Sequence, residues 1–83
     1  YDALKQGGTC PAVLNAANDV SVENFLAGRL RFTDIAFINE HVLQEHNAQI
    51  VSDLEVLLEA DRWARAQAHA AVERMQMRAV ASA

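Results

Sequence analysis

The chain has 83 residues, with seven Lys and Arg residues against eleven Asp and Glu residues and a formal net charge of -4. This length is enough for one small domain, so we predict a single helical domain over residues 1–83. The acidic balance argues against a nucleic-acid partner, because phosphate-binding surfaces need clustered Lys and Arg. No apolar run approaches the ~20 residues that span a bilayer, and we expect no membrane partner. The single Cys10 excludes an internal disulfide and is typical of a reducing compartment.

The composition favours an all-α fold, since Pro occurs once, Gly occurs three times and Ala is abundant. We predict a small helical bundle of three to four main helices plus a short one. Residues 1–6 have the pattern of a helix that is already under way and stops at Gly7, where paired glycines accept the left-handed backbone. Because the first residue is Tyr1 rather than Met, we expect this chain to be a piece of a longer protein.

The next predicted helix begins near Pro11, whose missing N–H has no cost in a first helical turn. Thr9 or Cys10 is the expected N-cap of this helix. We predict that it runs to about Ala27 and ends at Gly28, which can adopt the left-handed conformation found after many helices.

A further helix is predicted from Asp34 to about His46 after a short connection, with Thr33 as its N-cap. Apolar residues recur along it at helical spacing and predict the side that faces the core. These residues are Ile35, Ile38, Val42 and Leu43.

Residues 52–55 have the spacing of a capping box and predict the start of the last helical region. In one continuous helix Asp61 would share a face with Leu57, Ala64 and Ala68, where burying its charge is costly. We therefore predict a short helix to about Leu58, a break, and a longer final helix that Asp61 caps. Small residues on one face of the final helix predict a packing seam, made of Ala64, Ala68, Ala71, Met75 and Ala79.

The histidines and one acidic pair are the first candidates for chemistry. His41 and His46 are five residues apart, which puts their rings about 140° apart around a helix, so they cannot share one metal ion. We interpret both as surface residues, together with His69. Asp19 and Glu23 are one helical turn apart, but nothing in the sequence supplies the desolvation that an acid–base pair needs, and we interpret them as a solvated stripe.

Two asparagines are placed among apolar residues on their predicted helices. Asn18 falls within the apolar face of its helix, and Asn39 falls between Ile35 and Leu43. A buried amide without a partner costs on the order of 1–3 kcal/mol, so we expect both to be hydrogen-bonded. Their partners belong either to neighbouring helices of this chain or to another domain. Phe37 falls opposite the apolar stripe, and in a piece of a larger protein it would mark an interface.

Two stretches resemble one known family. They are GGTCPAVLNAAND at residues 7–19, followed by FLAG at residues 25–28, and LRFTDIA at residues 30–36. Together they are similar to the carboxy-terminal domain of the 1-deoxy-D-xylulose 5-phosphate reductoisomerases. Residues 52–55 and 60–64 also fit, so the resemblance covers essentially the whole chain, closely in its first half and loosely in its second.

The resemblance implies a parent enzyme of the non-mevalonate isoprenoid pathway in the bacterial cytoplasm, dependent on NADPH and a divalent metal (Mg or Mn). Such an enzyme converts 1-deoxy-D-xylulose 5-phosphate to 2-C-methyl-D-erythritol 4-phosphate. The family's catalytic, NADPH-binding and metal-binding residues belong to two preceding domains, and none of their motifs occurs in this sequence. We therefore expect no catalytic, cofactor-binding or metal-binding residue here, and no catalysis by this piece alone. Its expected partner is the catalytic domain of the parent chain, which Asn15, Asn18, Arg31 and Phe37 would contact.

A second hypothesis is a free-standing helical interaction module with no catalytic role. Such a module would bind a partner helix along the seam of Ala64, Ala68, Ala71 and Met75, because small residues let another helix approach closely. Under the first hypothesis, isolation of the domain would expose apolar surface, so we also expect the isolated chain to form a homo-oligomer.

Overall fold

The computed structural model describes residues 8–47 and 50–82, with side chains described up to residue 78. This part of the chain forms three helices, which are α1 (Cys10–Leu26), α2 (Phe32–Glu45) and α3 (Leu54–Ser82), and it contains no strand. The predicted all-α small bundle is therefore confirmed. The helix predicted over residues 1–6 lies outside the described residues.

Helix α1 begins and ends close to the predicted positions. Its N-cap is Thr9, and Pro11 lies in the first turn, where no backbone N–H is needed. The helix ends at Leu26, and Gly28 follows with a φ of 80°. Only glycine adopts this left-handed backbone without strain, which explains why the chain turns towards α2 at this residue.

Helix α2 begins at Phe32, two residues earlier than predicted, and Thr33 is not its N-cap. The N-cap position is held by Arg31, whose backbone N–H donates to Oδ2 of Asp34 at 2.9 Å. The Asp34 carboxylate is a charge-assisted acceptor and lies near the positive end of the helix dipole, so it stabilises this earlier start. Of the predicted apolar stripe, Ile38, Val42 and Leu43 are buried.

Helix α3 is continuous over 29 residues, so the predicted break before Asp61 is wrong. Asp61 does not cap a helix, because its side chain accepts a hydrogen bond from Nε of Arg65 at 2.8 Å, one turn further on. With 35% of its side chain exposed, Asp61 lies at the edge of the core rather than inside it. The start of α3 is stabilised by Asp53, whose Oδ1 accepts from the N–H of Val56 at 3.2 Å.

The core lies where α1 packs against both other helices, while α2 and α3 meet each other over a smaller area. Small residues of α3 allow the close approach of α1. The core side chains are Cys10, Val13, Ala16, Ala17, Val20, Leu30, Ile38, Val42, Leu43, Ala60, Ala64, Ala68, Ala71 and Val72. Within the described residues, none of the three helices combines the length and apolar character that crossing a lipid bilayer requires.

Candidate interdomain surface

A chain of polar side chains joins α1 to α2. The fully buried Ser21 hydroxyl lies 3.1 Å from Oδ1 of Asn39, and Nδ2 of Asn39 donates to Oδ1 of Asn18 at 3.0 Å. Both asparagines are hydrogen-bonded, as predicted. Asn18 is nevertheless exposed rather than buried, although the helical spacing predicts that it lies within the apolar face. It lies at the edge of the contact between α1 and α2, where its partner is the polar side chain of Asn39.

The exposed side of α1 also carries Asn15 and Asp19. Asp19 accepts a hydrogen bond from Nη2 of Arg65 at 3.1 Å, and the same guanidinium binds Asp61. The bond to Asp61, followed by the bond to Asp19, raises the pKa of Arg65 above its already high ordinary value. The predicted solvated stripe of Asp19 and Glu23 is confirmed, and α3 supplies a cation at its edge.

Arg31 and Phe37 lie away from the two asparagines. Arg31 is largely exposed and pairs with Asp34 at 3.5 Å. Phe37 is 57% exposed, as predicted, and its ring stacks on that of His41 with 6.5 Å between the centroids. Phe37 is two positions from Asn39, which corresponds to about 200° around α2. Phe37 therefore faces away from the side of α2 that contacts Asn18, and these two predicted residues do not share one surface.

His46 is not a simple surface residue, so the sequence interpretation of it is wrong. Its Nε2 lies 2.6 Å from Oγ1 of the fully buried Thr9, and its ring centroid lies 5.2 Å from that of Trp63. Burial lowers the pKa of His46 from its ordinary value, because desolvation disfavours the charged imidazolium. This junction joins the start of α1, the end of α2 and the side of α3.

A run of exposed large apolar residues precedes and opens α3, and sequence reasoning did not identify it. We call it the 50–58 apolar segment. Ile50 is 87% exposed, Leu54 67% and Leu58 45%, and Val51 is also exposed. Leu54 and Leu58 are one turn apart and lie on the same face of the helix. Leu54 and Leu58 lie in an acidic stretch, and this local pattern does not indicate whether their face packs against another helix of the bundle.

The first part of the small-residue seam of α3 is covered by the chain's own helices. Ala64 and Ala68 have no exposed surface, whereas Met75 at the far end of the seam is only partly buried. The hypothesis that a separate partner helix binds along the whole seam is therefore wrong, because such a helix could reach Ala64 and Ala68 only by displacing a helix of this bundle.

The described residues do not fit a metal ion or a dinucleotide. They contain no group of three or more His, Cys, Asp or Glu side chains that could hold a metal. They also contain no strand, and dinucleotide-binding loops connect a strand to a helix. Cys10, the one cysteine, is buried in the core.

Comparison with known proteins places this bundle in a family. A family model described as the DXP reductoisomerase C-terminal domain matches residues 1–67. The chain belongs to this family. It is 53% identical to the 1-deoxy-D-xylulose 5-phosphate reductoisomerase of Chlorobium phaeobacteroides over 74 residues, which are 89% of this chain and 19% of that relative. It is 50% identical to the enzyme of the same name from Cupriavidus pinatubonensis over 80 residues, 96% of this chain and 20% of that relative.

The fold comparison agrees with the sequence comparison. The 1-deoxy-D-xylulose 5-phosphate reductoisomerase of Zymomonas mobilis, solved in complex with NADPH, matches with a TM-score of 0.82 and 42% identity. The match covers 87% of this chain and 19% of that one. The chain thus spans about a fifth of the length of the relatives it matches. The resemblance noted at residues 7–19 and 30–36 is confirmed.

Proposed function

We propose that this domain docks onto the catalytic part of a 1-deoxy-D-xylulose 5-phosphate reductoisomerase and holds that part in its active shape. The family match is the observation that carries the proposal, since it assigns the chain to the C-terminal domain of such enzymes. Docking gives a physical reason for the exposed 50–58 apolar segment, which would otherwise leave large apolar side chains in water.

The position of that segment supports the same proposal. A C-terminal domain follows the rest of its enzyme, so the polypeptide reaches this bundle through the residues before Gly8. Thr9 contacts His46, and His46 contacts Trp63, so the start of α1 lies at the same end of the bundle as the first turns of α3. The 50–58 apolar segment precedes Trp63 at this end of the bundle, and its position near Thr9 supports docking through the segment.

The whole enzyme would convert 1-deoxy-D-xylulose 5-phosphate to 2-C-methyl-D-erythritol 4-phosphate with NADPH as reductant and a divalent metal, Mg or Mn. The Zymomonas relative was solved with NADPH, which supports that cofactor. The preceding part of the polypeptide would hold both cofactor and metal, since the described residues fit neither. The bacterial relatives favour a location in the cytoplasm.

Charge substitution in the apolar segment tests the docking. In the full-length enzyme, Leu54→Glu with Leu58→Glu should lower the thermal midpoint and the turnover number, because buried carboxylates without partners are costly. In dilute solution, where the 83-residue chain is monomeric, the same pair should leave its midpoint nearly unchanged, because both side chains are exposed there. Leu26→Glu, at an exposed leucine where α1 ends, is the matched control and should change neither protein. Equal behaviour of the double variant and this control would contradict docking through the segment.

We also propose that Asn15, Asn18, Arg31 and Phe37 contact the catalytic part. Asn18→Leu removes the hydrogen bond to Asn39, which costs about 1 kcal/mol in the 83-residue chain itself. An interdomain contact of Asn18 should make the loss in the full-length enzyme larger than this. Equal losses of unfolding free energy in the two proteins, with unchanged turnover, would assign Asn18 to the internal network alone.

A further inference from the structure

A groove between α2 and α3 combines an apolar floor with cationic edges. Ala71 is buried and Met75 is partly buried, and together they form the floor, while the exposed Phe37 ring forms one wall. None of the lining residues carries a carboxylate. They are Phe37, His41, Ala71, Arg74, Met75 and Arg78.

Arg74 is held in a defined orientation at the edge of this groove. Its Nη2 lies 3.2 Å from Nε2 of His41. A guanidinium can only donate, so Nε2 of His41 is the acceptor in this contact. The Phe37 ring stacks parallel to His41, with an angle of 2° between the planes. The contact with His41 uses one of the five N–H donors of Arg74 and leaves the others for a further acceptor.

The cations of this groove have no carboxylate partner within the described part of the chain. No Asp or Glu there lies within ion-pair distance of Arg74 or Arg78, whereas Arg65 binds two carboxylates. On the adjoining surface Asp34 pairs with Arg31, and Glu40 accepts a hydrogen bond from the neutral amide of Gln44. Two arginines without a carboxylate partner among the described residues, beside an apolar floor and in a chain with a net charge of -4, favour a partner of opposite charge.

We propose that the groove binds a carboxylate side chain of the catalytic part that precedes this domain in the same polypeptide. This inference rests on the proposed docking and adds the chemistry of a second contact. Arg74 can bind a carboxylate through two parallel N–H···O bonds, which are stronger than neutral hydrogen bonds. The apolar floor lowers the local dielectric once the groove is covered, which strengthens the pair. The polypeptide outside this domain accounts for about four-fifths of the matched relatives and supplies the partner surface.

Zero-length crosslinking of the full-length enzyme tests the proposal. Arg74→Lys keeps the charge and introduces an amine, which a carbodiimide joins to an adjacent carboxylate as an amide. We expect a crosslink from position 74 to an Asp or Glu of the preceding part, identified by mass spectrometry. Ala66→Lys is the control, because Ala66 is also exposed on α3 but does not continue the Leu54 and Leu58 face, and it should give no such crosslink. Absence of the crosslink at position 74, or an equal yield at position 66, would overturn the proposal.

A mixture of isotopically light and heavy enzyme identifies the source of the carboxylate. Crosslinks within one polypeptide pair light with light and heavy with heavy, as the proposal requires. Mixed pairs would place the carboxylate on a second copy and would overturn it.

A charge reversal at position 74 separates this inference from the docking itself. Arg74→Glu should lower the thermal midpoint of the full-length enzyme by more than that of the 83-residue chain, where it removes only the contact with His41, and Ala66→Glu should change neither. If Arg74→Glu does not change the thermal midpoint of the full-length enzyme while Leu54→Glu with Leu58→Glu lowers it, the docking proposal stands and the carboxylate contact is refuted. If neither set has an effect, both proposals fail.

Discussion

Loss of the Thr9 hydroxyl should destabilise the bundle measurably. Thr9 has no exposed surface, and its Oγ1 lies 2.6 Å from Nε2 of His46. Thr9→Val keeps the shape and removes this hydrogen bond, which costs about 1 kcal/mol, rising towards about 3 kcal/mol if the imidazole nitrogen is left without a partner. For a domain of this size, each kcal/mol lowers the thermal midpoint by roughly 4–8 °C.

The assay is thermal denaturation of the 83-residue chain followed by circular dichroism. Thr33→Val is the matched control, because Thr33 is exposed near the start of α2 and does not cap it. We expect the midpoint of Thr9→Val to fall and that of Thr33→Val to stay within about 2 °C of the original chain, as for most surface substitutions. Equal midpoints for the two variants would refute the structural role of the junction.

The same junction should make stability depend on pH. Burial lowers the pKa of His46, so the unfolded chain binds more protons than the folded one in mild acid. The contribution of the neutral His46 ring to the free energy of unfolding is complete above the pKa of His46 in the unfolded chain, about 6.5. It is lost as the pH falls below this value towards the pKa in the folded chain. His46→Gln should reduce this pH dependence of the midpoint, whereas His69→Gln, at an exposed site, should keep it. A midpoint profile that is the same for both variants would contradict the burial of His46.

Three further results are expected from the packing and the surface. Ala68→Leu should destabilise the 83-residue chain by about 1–3 kcal/mol in chemical denaturation, because Ala68 has no exposed surface and a larger side chain must fit inside the core, while Ala66→Leu on the exposed side of α3 should change stability little. Asp19→Asn should cost less than about 1 kcal/mol, with the difference vanishing in high salt, because the pair with Arg65 is exposed. Sedimentation should show a homo-oligomer of the 83-residue chain that Leu54→Glu weakens, and a monomer at all concentrations would contradict this.

The features predicted correctly are those that depend on local pattern. The extent of α1 followed from Pro11 and Gly28, and the buried stripe of α2 followed from the spacing of Ile38, Val42 and Leu43. The family assignment followed from two short motifs. In each case the signal lies within a few residues along the chain, so it can be read without knowing how the helices pack.

The errors arise where a distant residue decides the outcome. The cost of burying its charge predicts a capping role for Asp61, but Arg65 binds it at the edge of the core and α3 continues. The local pattern predicts a surface position for His46, but Thr9, 37 residues away, and Trp63 both contact it. The small residues of α3 predict the seam, yet only the packing shows that Ala64 and Ala68 are already covered by the bundle itself.

Removal of the domain from the full-length enzyme is the decisive test of docking. An enzyme that ends before Gly8 would keep the preceding part and lose this bundle. We expect this enzyme to have a lower thermal midpoint and to lose most of its turnover with 1-deoxy-D-xylulose 5-phosphate and NADPH. A truncated enzyme with the midpoint and turnover of the full-length protein would show that the bundle does not support the catalytic part.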